Sequence, residues 1–318
     1  MEMTRRAATR RLIGGLGAGL GLAAAVLGAA GTARAEPTLR VTYAGSMGVV
    51  MDKGLGPAFA KGANLQYEGQ GEGAYGMARL LASKKLVADV FVSITPGPMQ
   101  ILKDANLIDQ AVPVASTSMV IAFNPKSAFA RQLDASRHGG EPWWKVLQTP
   151  GLRFGRTDAR IDPQGQNIIF TMLLAAKYYA QPDLARQVLG DTENPQQVFG
   201  EGGLLTRLEA GQVDASSGYE SATISAGLPY IALPDEINLS NPKYAKDWYA
   251  HVSFPIVEPS GRQKTLRPQP LVFYPAVLKN APNPDAARGF AAFLNSAAGQ
   301  AIFRQNGYGA PKGEALYP

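Results

Sequence analysis

The stretch Leu39-Arg40-Val41-Thr42-Tyr43-Ala44-Gly45-Ser46 decides the fold class of this chain of 318 residues. Its first five residues include β-branched and aromatic side chains, which predicts a strand, and Ala44-Gly45-Ser46 predicts a turn into a helix that reaches about Lys61. The elements predicted next are a strand (64–68), a turn with glycines at 69, 71 and 73, a helix through 77–81, a strand (88–92) and a helix (98–105). This alternation is typical of a parallel sheet with helices on both faces. Ligands bind such sheets outside the carboxyl ends of the strands, where Ser46 and the glycine-rich turn fall.

The second half of the chain repeats this layout. The predicted elements are strands at 119–123 and 152–155, a helix from Pro163 to Tyr179, a helix from Glu201 to Ala210, strands at 213–219 and 271–277, and a closing helix at 285–305. The length exceeds what one core comfortably fills, which favours two lobes. We therefore predict an α/β fold of two lobes, each a mostly parallel sheet flanked by helices, joined by crossover strands. The first lobe is predicted to hold residues 37–118 and 268–318, and the second residues 119–267.

Residues 1–35 are predicted to be a signal peptide that is removed near Ala35. A basic start with Arg10-Arg11 precedes a run of Gly, Ala and Leu, and Ala33-Arg34-Ala35 has the small-x-small pattern of a signal peptidase site. The weakly hydrophobic, glycine-rich run favours a twin-arginine signal, with a plain secretory signal or a membrane anchor as alternatives. The chain has no cysteine, which excludes a lipid anchor at the cleavage site. We expect a monomer in the periplasm with no membrane anchor.

Charge and motifs exclude several classes of function. Loss of five Arg and one Glu with residues 1–35 leaves 26 basic and 24 acidic residues, a net charge of +2, and no basic run with interleaved aromatics. Nucleic acid is therefore not an expected partner. The chain has no G-x-S-x-G, H-E-x-x-H or phosphate-loop motif, and His138 and His251 are its only histidines. We expect no enzyme activity and no cofactor, although a hydrolase using a pair of carboxylates, Asp162 and Glu201, stays open.

Two acids stand where helices are predicted to begin. Asp162 precedes Pro163, a residue suited to the first helical position, and Glu201 follows Phe199-Gly200. The structural alternatives are a simple N-cap for Asp162 and a solvated first-turn acid for Glu201. A helix start otherwise attracts anions, and a carboxylate there would repel one such as sulfate. Molybdenum and tungsten can expand from four to six oxygen neighbours, so in their oxyanions a carboxylate becomes a ligand of the metal.

Several stretches resemble the tungstate/molybdate-binding proteins of the archaeal type, and the similarity covers roughly residues 39–310. The longest is Tyr230-Ile231-Ala232-Leu233-Pro234-Asp235-Glu236-Ile237-Asn238-Leu239-Ser240-Asn241-Pro242-Lys243-Tyr244-Ala245. In the same order the family is matched by Tyr43-Ala44-Gly45-Ser46, Phe154-Gly155-Arg156-Thr157-Asp158, Asp162-Pro163 and Leu208-Glu209-Ala210-Gly211. The resemblance implies the two-lobed fold of a type II periplasmic binding protein. It also implies delivery of the oxyanion to the membrane permease of an ABC transporter.

The resemblance also implies a set of contacts to the oxyanion. Asp162 and Glu201 would be direct ligands of molybdenum or tungsten. The other implied contacts are Gly45, Ser46, Pro163, Gln164 and Tyr219. Gly71 and Glu72 complete the nine predicted contacts, but this position departs from the family: where it has a serine after a glycine, this chain has Gly71-Glu72-Gly73. That departure keeps a different ligand, another small oxyanion such as sulfate or an organic acid, as the alternative function.

Overall fold

A computed structural model describes residues 37–257 and 261–318, with only the backbone of Glu201 and Gly202. The predicted signal peptide lies outside the described residues. Within the described ranges, no helix combines the length and the apolar character that crossing a membrane requires.

The strands form two larger sheets and a separate hairpin. Their bounds are β1 (Thr38–Ala44), β2 (Gln66–Glu72), β3 (Val90–Ser93), β4 (Ala115–Ser116), β5 (Met119–Phe123), β6 (Phe154–Thr157), β7 (Val198–Phe199), β8 (Ala215–Tyr219), β9 (Tyr230–Ala232), β10 (Phe254–Val257), β11 (Gln263–Leu266) and β12 (Val272–Val277).

The helices connect these strands and cover the sheets. Their bounds are α1 (Gly48–Val50), α2 (Gly56–Ala63), α3 (Ala74–Ala82), α4 (Pro96–Asp104), α5 (Ala130–Arg137), α6 (Trp143–Val146), α7 (Pro163–Tyr178), α8 (Leu184–Leu189), α9 (Glu201–Glu209), α10 (Glu220–Ser225), α11 (Pro284–Leu294) and α12 (Ala297–Gln305). A 3₁₀ turn (Gly45–Met47) precedes α1, and a π-helical turn (Met51–Leu55) joins α1 to α2. Residues 45–63 are therefore one helical stretch of changing pitch, which we call the 45–63 helical stretch.

The two sheets have the same strand order. The sheet of the first lobe runs β2-β1-β3-β12-β4, with β1, β2 and β3 parallel and β12 antiparallel to both neighbours. The sheet of the second lobe runs β7-β6-β8-β5-β9, with β6, β7 and β8 parallel and β5 antiparallel to both neighbours. In each sheet, the antiparallel strand is the one through which the chain enters or returns from the other lobe.

The crossing strands β5 and β12 are buried, and their sequences are almost entirely apolar. All residues of β3 and β5 are buried, as are the first five of β12. Such continuous apolar runs are typical of strands covered on both faces by helices. The sheets are thus mixed, and the prediction of two α/β lobes joined by crossover strands is confirmed. The predicted lobe boundaries, 37–118 with 268–318 and 119–267, stay a prediction.

Two predicted elements are wrong. Gly69 and Gly71, expected to form a turn with Gly73, belong to β2, which pairs with β1 from Thr38↔Gln66 to Ala44↔Glu72, and only Gly73 lies between β2 and α3. The single closing helix is two helices, α11 and α12. Ser296 caps α12 by accepting a hydrogen bond from the Gly299 backbone, and the Gly299 α-carbon lies so close to Phe293 O that a side chain would not fit.

Candidate functional site

A cavity of about 140 Å³ lies between the two lobes. Its first-lobe wall begins where β1 ends, at Gly45 and Ser46, and the second-lobe wall includes Gln164 of α7 and Tyr219 of β8. These four belong to the nine residues predicted to bind the ligand. The other described lining residues are Gly48, Val49, Ala122, Leu204, Leu205, Thr206, Ser216, Ser217, Gly218, Ala222 and Thr223.

Neutral hydroxyl and amide groups supply the polar part of this lining. Ser216 and Ser217 of β8 and Thr223 of α10 contribute hydroxyls, and no Lys or Arg is found among the described lining residues. Gln164 is held in place because its Nε2 donates to Ser217 O at 3.1 Å and approaches Ser217 Oγ at 3.3 Å. An anion entering this cavity would be met by dipoles rather than by a formal positive charge.

Asp162, which is not among the described lining residues of the cavity, caps α7 and has one oxygen that accepts no hydrogen bond from the described part of the chain. Its Oδ1 accepts from the Gln164 backbone N at 2.9 Å, and Pro163 takes the first helical position, as predicted. The residue is only 2% exposed. Its Oδ2 is buried and accepts no hydrogen bond from the described residues. A buried carboxylate oxygen without a donor costs about 1–3 kcal/mol or more, so this atom calls for a partner.

Burial raises the pKa of Asp162 to about 6, against the opposing hydrogen bond from the Gln164 backbone. The negative charges of Asp158 and Glu72 raise the pKa further. The Thr157 hydroxyl lies close enough to lower it somewhat, yet Thr157 Oγ1 is also buried without a hydrogen-bond partner of acceptable geometry among the described residues. Burial therefore disfavours the ionised form of Asp162, and a positively charged centre next to the carboxylate would stabilise that form.

The loop 158–162, between β6 and α7, is fixed by its own contacts. Asp158 accepts from the Arg160 backbone at 2.9 Å and from the Arg160 guanidinium at 2.6 Å. Although burial acts to raise the pKa of Asp158, these hydrogen bonds hold it below its usual range. Gly165 is required because a side chain there would overlap Thr157 O and lie 2.7 Å from the Ala159 nitrogen. The backbone of the loop therefore sets where Asp162 sits.

The lobes touch where this loop meets the start of α3. The backbone N of Tyr75 donates to Ile161 O at 3.2 Å, and a β-carbon on Gly73 would lie 3.5 Å from Asp162 Cβ. Glu72, at the end of β2, is exposed, and its charge reaches Asp162 across this contact. The structure therefore places Glu72 at the outer lip of the site and not among the described lining residues.

Tyr219 is fully buried at the end of β8. Its hydroxyl accepts a hydrogen bond from Asn167 Nδ2 at 3.0 Å, which fixes the position of the phenol oxygen. Thr223 Oγ1 donates to Tyr219 O at 2.9 Å and closes the first turn of α10. Asn167 was missed by the sequence reasoning, although it lies one turn after Gln164 on the same face of α7.

The remaining predicted residues have different positions. Gly71 lies in β2 beside Gly45, and a side chain has no room there because a β-carbon would overlap the Tyr43 ring. α9 begins at Glu201 as predicted, and it packs against the Gly45–Met47 turn of the first lobe. The side chain of Glu201 lies outside the described residues. Ser216, Ser217 and Thr223 were also missed; three hydroxyls in a buried strand and its following turn were the available indication.

Comparison with known proteins agrees with this architecture. The family model of bacterial extracellular solute-binding proteins matches residues 39–309. The molybdate/tungstate-binding protein WtpA of Thermococcus kodakarensis is 28% identical over 87% of this chain and 83% of its own length. A solute-binding protein of Petrotoga mobilis is 34% identical, over 61% of this chain and 59% of that relative.

Solved structures share the fold at low identity. The periplasmic molybdate-binding protein of Azotobacter vinelandii aligns with a TM-score of 0.62 and 15% identity over 86% of this chain and 100% of that one. The sulfate-binding protein SubI of Mycobacterium tuberculosis aligns with a TM-score of 0.58 and 15% identity over 86% of each chain. At this identity the likeness concerns the fold, that of type II periplasmic binding proteins, and not the ligand.

Proposed function

Because this chain belongs to the family of bacterial extracellular solute-binding proteins, we propose that it captures molybdate or tungstate in the cavity between its lobes. It would deliver the oxyanion to the membrane permease of an ABC importer. The WtpA relative supports this assignment by its molybdate/tungstate-binding name and its coverage of both chains. Export to the periplasm, removal of residues 1–35 and a monomeric state belong to the same proposal.

The observation that carries the proposal is the buried Oδ2 of Asp162, which lacks a hydrogen-bond donor among the described residues. Sulfate offers no centre that could accept this oxygen, so an ionised Asp162 would only repel it. The metal of molybdate or tungstate can accept it as an additional ligand. Hard oxygen ligands suit such a high-valent centre.

In this mechanism the lobes contribute different groups. Ser46 and the backbone N–H groups at the start of the 45–63 helical stretch would hold the oxo groups from the first lobe. From the second lobe, the Tyr219 hydroxyl would do the same, Gln164 would contact the anion from the cavity wall that it lines, and Asp162 would bind the metal. Glu201 is proposed as the second carboxylate ligand. Closure of the lobes excludes water, which strengthens each of these interactions.

A binder of sulfate or a similar tetrahedral anion is the second candidate. The neutral hydroxyls of Ser216 and Ser217 favour it, because such anions are held by uncharged donors. The two candidates differ in the role of Asp162, which is a ligand in the first and a source of repulsion in the second.

Titration calorimetry on residues 36–318 with molybdate, tungstate, sulfate and phosphate tests the proposal. We expect tight binding of the first two anions and little heat from the other two at pH 7. Equal affinity for sulfate would contradict metal coordination by Asp162. Absence of binding to all four anions would contradict the oxyanion function as a whole.

A further inference from the structure

Three polar residues in the first lobe form a cluster that does not line the cavity. Tyr43, at the end of β1, donates from its hydroxyl to Asp52 Oδ2 at 2.6 Å. Tyr67, in β2, donates to Asp52 Oδ1 at 3.2 Å. Asp52 belongs to the π-helical turn of the 45–63 helical stretch. This Tyr–Asp–Tyr cluster therefore ties the two neighbouring strands to one point of the helical stretch.

Three positions near the cluster are glycines because any side chain there would overlap the residues of the cluster. A side chain at Gly69 would overlap Asp52 Oδ1, and one at Gly71 would overlap the Tyr43 ring. A side chain at Gly56, the residue after the π-helical turn, would overlap the Tyr67 ring. These three glycines leave the space in which the two tyrosines reach the Asp52 carboxylate. Glycine weakens a strand interior, so its repeated use in β2 indicates a gain elsewhere.

The position of Asp52 depends on the π-helical turn. A π turn inserts one extra residue into the helix and shifts the register of the residues beyond it, and such turns are frequent at functional sites. Here the turn brings the Asp52 carboxylate within reach of both phenols. The cavity residues Gly45 and Ser46 lie between the strand anchor at Tyr43 and this helical anchor. The cluster therefore fixes both ends of the segment that presents them.

The chemistry of the cluster goes beyond filling space. Tyr43 is buried, and burial followed by its hydrogen bond to Asp52 raises its pKa, so the phenol remains a donor at all ordinary pH values. Burial likewise raises the pKa of Tyr67, and the negative charge of Asp52 adds to it. Hydrogen bonds to a carboxylate are short and directional, and they define a position more closely than apolar packing does.

We propose that the Tyr43–Asp52–Tyr67 cluster is a positioning device that holds Gly45 and Ser46 in the geometry required by the bound oxyanion. The inference rests on the proposed oxyanion function. It assigns a role to residues that do not touch the ligand and act through the 45–63 helical stretch. Loss of the cluster should loosen the segment 44–52 while leaving the rest of the first lobe folded.

Calorimetric titration of molybdate into wild type, Tyr43→Phe, Asp52→Asn and Gly69→Ala tests this inference. Each variant breaks the cluster from a different side, and we expect each to bind about tenfold more weakly than wild type. Tyr317→Phe is the matched control for the lost hydroxyl, because Tyr317 donates to Gln100 in the same lobe away from the cavity. Gly62→Ala is the control for the added methyl group, because nothing lies within 4 Å of that position. Both controls should bind as wild type does.

The double variant Tyr43→Phe with Asp52→Asn separates positioning from general destabilisation. If both residues act through their shared hydrogen bond, the double variant should bind about as weakly as either single variant. Thermal unfolding of all variants shows whether weaker binding merely follows lost stability. Unchanged affinity in the three cluster variants, or losses that follow the unfolding temperature in the controls as well, would overturn the inference. Failure of wild type to bind molybdate would instead refute the proposed function.

Discussion

The two lobes share one strand order but begin their ligand-facing helices differently. In the first lobe, Gly45 starts the helical stretch directly after β1. In the second lobe, the equivalent strand β6 is followed by the loop 158–162 before α7 begins. The first lobe thus offers backbone N–H groups and a small hydroxyl. The second offers a carboxylate, because the added loop ends in the cap residue Asp162.

Under the proposed function, this difference would give the two lobes different roles in recognising the oxyanion. Neutral donors from the first lobe suit any tetrahedral oxyanion, whereas Asp162 suits only a centre that can accept another oxygen. The loop carrying Asp162 is held by the Asp158–Arg160 pair and by the close approach of Gly165. Selectivity is therefore expected to depend on the second lobe, and general anion affinity on both.

The most direct way to break this division is Asp162→Asn. Asparagine still caps α7 but is a poor ligand for the metal, so molybdate affinity should fall about 100-fold or more at pH 7. Titration calorimetry measures the loss. Asp183→Asn is the matched control, since Asp183 is an exposed acid that precedes α8 and contacts Arg186. An unchanged affinity in Asp162→Asn would show that the carboxylate is only a cap.

The same substitution should alter stability in a pH-dependent way. The folded pKa of Asp162, about 6, lies above the usual aspartate value, so the unfolded chain loses its proton first as pH rises. As pH rises from about 4 to 6, the free energy of unfolding of the ligand-free wild type should therefore fall by about 2–3 kcal/mol because of this group. Urea unfolding at pH 4 and 7 should show Asp162→Asn gaining that amount relative to wild type. Parallel pH profiles would contradict the raised pKa.

The pH dependence of binding distinguishes a metal ligand from a repelling charge. Coordination requires the ionised carboxylate, so molybdate affinity should rise about tenfold between pH 5 and 7, as Asp162 ionises with a pKa of about 6. Binding at pH 5 should also release a proton, which calorimetry in buffers of different ionisation enthalpy detects. If affinity instead falls over this range, Asp162 repels the anion and the sulfate-like candidate is supported.

The smallest expected effect concerns the lip of the first lobe. Glu72→Gln removes a negative charge that reaches Asp162, and we expect a two- to fivefold gain in molybdate affinity because exposed charges interact weakly. Glu68→Gln is the control on the same strand, where Glu68 pairs with Arg40 at 3.2 Å. A loss of affinity larger than tenfold in Glu72→Gln would make Glu72 a contact of the ligand.

Local sequence patterns predicted the elements that are determined by residues close together in the sequence. The strand before Ala44-Gly45-Ser46 and the Asp162-Pro163 helix start are both present, because turn and cap chemistry act within a few residues. Gly69 and Gly71 were assigned to a turn because their purpose depends on partners that are distant in the sequence or in another element. They make room for Asp52 and Tyr43, which no local pattern shows.

Other parts of the fold and site depended on tertiary contacts in the same way. The break between α11 and α12 is hidden in the apolar spacing, which continues across Ser296. Ser216 and Ser217 supply polar groups to the cavity, but the sequence of their strand predicted only that the strand is buried. The cross-lobe contact between Tyr75 and Ile161 uses backbone atoms, and the sequence carries no information about it.

That backbone contact bears on how the protein tolerates mutation. The N–H of Tyr75 is one of the donors that every helix leaves open at its start, and here the opposite lobe supplies the acceptor. Substitution by any residue other than proline leaves the backbone N–H in place. Substitutions can therefore change the side chains of the site while this hydrogen bond between the lobes is kept. Proline is the exception, since it lacks the N–H yet is accepted in the first turn of a helix.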